Sequence, residues 1–136
     1  MARILTKTRV LTASIAAVGF VLVTAGAQAA PAKGDAKNGA MVFMDNCAVC
    51  HTAEKGAANK IGPNLFGVMA ENIASGQGYQ FSQALAAHKG EKWDPDKLNV
   101  WLAKPQEFAK GTKMTFPGLP KGQDRADVIA YLESLK

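Results

Sequence analysis

Past the first thirty residues, apolar positions recur at helical rather than strand spacing. Ala36, Ala40, Phe43 and Cys47 fall at i, i+4, i+7 and i+11, one face of a helix that Asp35 can cap. Ser82 to His88 reads as a short helix with Ser82 at its start. Asp94-Pro95-Asp96 is a strong helix start, with an acid as N-cap and proline at the first helical position. That helix carries Leu98, Trp101 and Leu102 and must end near Lys104, ahead of Pro105. Asp124 is expected to cap a last helix with Val128, Leu132 and Leu135 on its apolar stripe. Between these lie Thr52 to Asn72, Gly76 to Gly78 and Gln106 to Gly122, punctuated by glycine and proline, which read as loops. No alternating strand appears, so the class is all-α. Loops this long are uncommon in a compact domain unless they serve a function, such as wrapping a flat cofactor.

The N-terminal segment is of another kind. Arg3, Lys7 and Arg9 precede an apolar run from Val10 to Ala25, and Ala27-Gln28-Ala29 fits a small-x-small cleavage triplet. Residues 1–29 are therefore expected to be a cleaved secretory signal, leaving 30–136 as one domain exported to the periplasm. An uncleaved anchor is the rival, but the run is shorter than the roughly 20 apolar residues a span prefers. Cleavage changes the charge picture. The +5 of the whole chain, less those three basic residues, leaves +2. The high pI is partly a signal effect and does not imply nucleic-acid binding. Among the remaining basic residues only Arg125 is an arginine, which suits a soft docking face better than bidentate phosphate recognition.

The chemistry lies in Cys47-Ala48-Val49-Cys50-His51. Two thiols three positions apart, followed at once by an imidazole, form the attachment pattern of c-type haem. Each thiol can add across one vinyl group, and the histidine is then placed to bind the iron. Other readings are weaker. A redox dithiol expects a βαβ setting, which is not found here, and a structural zinc site wants four ligands, where this chain has only two cysteines and two histidines and His88 lies far from the motif. A simple disulfide is permitted by the count. The second ligand to the iron decides function. Met41, Met44, Met69, Met114 and His88 are the candidates. Met41 and Met44 lead into the attachment motif and belong to its side, and Met69 can be core filler. Met114 lies in a loop well separated from His51, with room to fold over the far face.

The motifs Cys47 to His51, Ile61-Gly62-Pro63-Asn64-Leu65-Phe66-Gly67, Gly111-Thr112-Lys113-Met114 and Ile129-Ala130-Tyr131-Leu132 stand in the order seen in class I cytochromes c. Over residues 34–136 the chain resembles that family, most nearly its mitochondrial and bacterial c2 members. The resemblance implies a small cytochrome c fold whose first and last helices cross, with Gly39 and Phe43 packing near Tyr131 and Leu132. It implies one haem c held through Cys47 and Cys50, with His51 and Met114 as axial metal ligands. It assigns Pro63 as the carbonyl that accepts from the proximal histidine, and Trp93 as the indole directed at a propionate. It also shows departures. Phe81 and Glu71 stand where the family often has a propionate-binding tyrosine and arginine, and Trp101 stands where it has a tyrosine near the methionine sulfur. The implied role is a soluble, monomeric one-electron carrier rather than an enzyme. Its donor would be a quinol:cytochrome c oxidoreductase, and its acceptor a terminal oxidase, reaction centre or periplasmic reductase. Lys55, Lys60, Lys104, Lys110, Lys113 and Lys121 are the lysines available to a docking face. The alternatives are a haem peroxidase or gas sensor with a displaceable methionine, or a redox subunit of a larger complex.

Overall fold

A computed structural model describes residues 33–136, so the expected signal segment, 1–29, lies outside the described residues. Among the described residues there are five helices, α1 Ala36–Asn46, α2 Gln83–Ala86, α3 Pro95–Ala103, α4 Pro105–Phe108 and α5 Gly122–Ser134, and a single 3-10 turn at Val68–Ala70. Among the described residues there is no strand, only one antiparallel bridge between Asn72 and Lys92.

Three starts follow the sequence reading. The Asp35 carboxylate accepts from the Lys37 and Asn38 N–H groups at 2.8 and 3.0 Å. The Ser82 hydroxyl accepts from Leu85 N–H at 3.2 Å, and the Asp94 carboxylate from Lys97 N–H at 2.7 Å. Each gives an orphan donor of the first turn its acceptor. The last helix departs from expectation. α5 begins at Gly122, two residues before Asp124; its N-cap, Lys121, makes no side-chain cap bond. Asp124 sits inside the first turn, where its charge favours the positive end of the helix dipole. Leu135 lies just past the helix end. A second departure is α4, inside a stretch read mostly as loop. Pro105 stops α3 because it cannot donate, yet its fixed φ is ready for a first helical position, so the chain kinks at Lys104 and starts again.

The frame is the crossing of α1 on α5. Gly39 sits at the contact: a Cβ there would collide with the Asp127 carbonyl and lie 2.8 Å from Tyr131 Cβ. Its glycine is what lets the backbones approach. One turn on, the Phe43 and Tyr131 rings meet at 5.4 Å. Buried beside them, the Asp127 carboxylate accepts from Asp35 N–H at 2.8 Å and from the Gln123 amide at 2.7 Å. This ties the two ends of the domain by a charge-assisted bond. Phe43, Val128 and Leu132 of this pair join Leu98, Trp101 and Leu102 of α3 in one core.

Candidate functional site

Cys47 is the C-cap of α1, and the turn that follows rolls the attachment motif inward. Its carbonyl accepts from Cys50 N–H at 3.0 Å and His51 N–H at 2.9 Å. Cys47, Cys50 and His51 thereby face a cavity of about 380 Å³, within the roughly 300–1,000 Å³ usual for cofactor sites. The two thiols are not joined to each other. Burial, with the Cys50 thiol beside it, pushes the Cys47 thiol up to about 11.

The His51 ring is held in one tautomer. Nδ1–H donates to the Pro63 carbonyl at 2.7 Å, which leaves Nε2 with a free lone pair. Burial lowers the pKa of the ring; the Pro63 carbonyl works against this and the Lys60 ammonium works with it. The ring therefore stays neutral at neutral pH, the form that can bind a metal. Gly62 lies against it: a Cβ at Gly62 would stand 2.7 Å from Nδ1 and 2.8 Å from Nε2. Gly62 N–H donates to Cys50 O at 2.8 Å, which closes the wall behind the imidazole.

The same cavity is lined by Met114, Pro63 and Trp93, so the six residues picked out in the sequence converge on one space. Among the described residues, Met114 is the only methionine that lines it and His51 the only histidine. Met41 and Met44 are exposed on α1, at 57% and 68%. Met69 packs against the core elsewhere. His88 lies near the surface, bonded to Glu91 at 3.0 Å with its ring on Phe108. Trp93 is buried with its ring stacked on Phe108 at 6.0 Å.

All three departures also line the cavity. Trp101 is buried, edge-on to Phe108 at 5.5 Å. Phe81 packs edge-on against Tyr79, whose hydroxyl donates to the Ile61 carbonyl at 2.8 Å. Glu71 brings a carboxylate to the wall. Tyr79 and Gly62 were not singled out from the sequence. Tyr79 could have been noticed as the nearest phenol to Phe81, two positions away. Gly62 could have been noticed as the small residue beside Pro63.

Walls that are largely apolar, two thiols and a neutral imidazole with a free nitrogen fit a flat, covalently held, metal-centred ring. The fold and site thus define a small all-α protein closed around one such group. Residues 36–136 match the family model described as Cytochrome c. The chain is 46% identical over 105 residues to a cytochrome c of Guizotia abyssinica, covering 77% of this chain and 93% of that one. It is 46% identical over 102 residues to one of Gibberella zeae, covering 75% and 95%. It is 51% identical over 90 residues to a cytochrome c homolog of Bradyrhizobium diazoefficiens, covering 65% of this chain and 48% of that one. The chain belongs to the cytochrome c family. Its cofactor is one covalent haem c, and its general role is electron carriage. No helix among the described residues is long and apolar enough to cross a membrane.

Proposed function

We propose that the protein is a soluble periplasmic carrier of single electrons, its haem anchored by Cys47 and Cys50 and its iron held between His51 and Met114. The observation that supports this most is that one cavity is lined by both thiols, by one imidazole with a free Nε2 and by one thioether. When bound, haem iron supplies a one-electron ferrous–ferric couple. The protein does the rest. His51 is oriented by Pro63, which fixes the donor and raises its basicity. Met114 would supply a soft sulfur, which favours the ferrous form. Trp93, which lines the same cavity, would orient a propionate. With His51 and Met114 both holding the iron, no position would be left for a substrate, and the chain itself would catalyse no turnover.

The basic start, the apolar run and the Ala27–Ala29 triplet support export and cleavage. A quinol:cytochrome c oxidoreductase as donor, and a terminal oxidase, reaction centre or periplasmic reductase as acceptor, suit such a carrier. Docking would use the cavity mouth. Val49 and Ile61 are the exposed apolar lips there, at 76% and 75%. Several lysines are already engaged: Lys60 Nζ donates to Ala48 O at 2.7 Å, Lys113 Nζ to Gln80 O at 2.7 Å, and Lys104 pairs with Glu107 at 2.8 Å. Lys55, Lys110 and Lys121 remain as exposed charge. Encounter rates with an acidic partner should fall as salt rises.

Potentiometric titration of the purified holoprotein tests the reading. A single reversible wave with a slope of about 59 mV per decade is expected for a one-electron couple. A wave that shifts when cyanide or peroxide is added at low concentration would point to an open iron and overturn it.

A further inference from the structure

Gln106 is the second residue of α4, and among the described residues its side-chain bonds all go to the loop that carries Met114. Its Oε1 accepts from Gly111 N–H at 3.3 Å. Its Nε2 donates to Thr112 O at 3.1 Å and to Met114 O at 3.0 Å. One amide thus engages both ends of the segment 111–114. The segment also helps itself: Thr112 N–H donates to Ala109 O at 2.9 Å, and Met114 N–H reaches Thr112 Oγ1 at 3.4 Å.

We propose that Gln106 is a positioning residue that sets how readily Met114 gives up its place at the iron. This rests on the reading of Met114 as an axial ligand. A thioether is a weak donor, so its residence depends on how well the backbone behind it is held. Two groups grip that backbone at Met114 itself: Thr112 on the N–H and Gln106 on the carbonyl. The Gln106 side chain is exposed, and among the described residues its bonds reach only the adjoining segment 111–114. Its loss therefore costs the global fold little, while it frees the one segment that must open for Met114 to leave.

The test compares holoprotein carrying Gln106→Leu and Gln106→Glu with the parent. Leucine removes the donors and the acceptor at similar size. Glutamate keeps the acceptor for Gly111 but cannot donate to either carbonyl. The probe is imidazole titrated into the ferric protein, followed by loss of the weak far-red band that reports sulfur–iron ligation. Both variants should bind imidazole roughly tenfold more tightly, the change two modest hydrogen bonds make to a local opening equilibrium. Their thermal midpoints should stay near that of the parent. Parent-like imidazole affinity in Gln106→Glu would overturn the role assigned to the donated bonds. A gain in affinity that merely tracks a large fall in thermal midpoint would also overturn it, because that is general loosening. A far-red band that survives Met114→Ala would instead remove the ligand assignment on which the proposal rests.

Discussion

Replacing Gly62 with alanine puts one methyl group against the imidazole. The φ angle of Gly62 is not in the left-handed region, so the backbone itself accepts alanine. The space does not. The new Cβ would stand 2.7 Å from Nδ1 and 2.8 Å from Nε2 of His51, where carbon-scale contacts prefer about 3.5–4.0 Å. Two movements relieve this overlap. The ring can swing, which breaks the 2.7 Å bond to the Pro63 carbonyl. Or the 61–63 segment can retreat, which breaks the 2.8 Å bond from Gly62 N–H to Cys50 O. Either route loses about 0.5–1.5 kcal/mol of hydrogen bonding, on top of an overpacking cost of about 1–3 kcal/mol. A total of about 2–4 kcal/mol should lower the thermal midpoint of a domain this size by at least about 8 °C. Far-UV circular dichroism melts of the holoprotein read this directly, and the His51 Nδ1–H proton resonance reports which bond gave way. A midpoint within about 2 °C of the parent with an unshifted resonance would refute the reasoning.

Three further outcomes follow from the same structure. Gly39→Val should push α1 off α5, since even a Cβ meets the Asp127 carbonyl; a loss of about 1–3 kcal/mol in urea unfolding is expected, and an unchanged midpoint would mean the crossing is not tight. Asp127→Ala should cost about 1–3 kcal/mol, because Asp35 N–H and the Gln123 amide lose their shared acceptor; chemical denaturation measures it. The Asp94 carboxyl is held below its ordinary value of 3.8, first by the Lys97 ammonium and then by the Lys97 N–H. The unfolded chain thus binds that proton more readily, so the stabilisation is complete above about pH 4 and is lost as pH falls below it. Acid melts should show the parent falling more steeply than Asp94→Asn, which keeps a capping oxygen without the charge; parallel curves would exclude the effect.

The parts readable in the sequence are those governed by local chemistry. Asp35, Ser82 and Asp94 announce helix starts because a short polar side chain beside its own backbone needs no tertiary partner. Cys47, Cys50 and His51 are legible because the attachment spacing is fixed by the cofactor. What escaped depends on residues far apart in sequence. Asp127 reads as a solvated acid on a helix, yet it is buried, because Asp35 N–H and Gln123 reach it across 92 and 4 residues. Gln106 sits where Pro105 reads as a stop, so the short helix that aims it was not foreseen. Asp124 fits a cap by pattern, but α5 starts two residues earlier, at Gly122, and takes Asp124 into its first turn. Gly62 looks like turn punctuation, while its role is steric and appears only with the imidazole in place.

The central claim is that one iron is held between His51 and Met114. The visible spectrum of the exported ferric holoprotein, measured beside Met114→Ala, tests it most directly. A weak far-red sulfur–iron band in the parent that vanishes in the variant is the predicted result. A parent spectrum that lacks the band, or a variant that keeps it, would contradict the account.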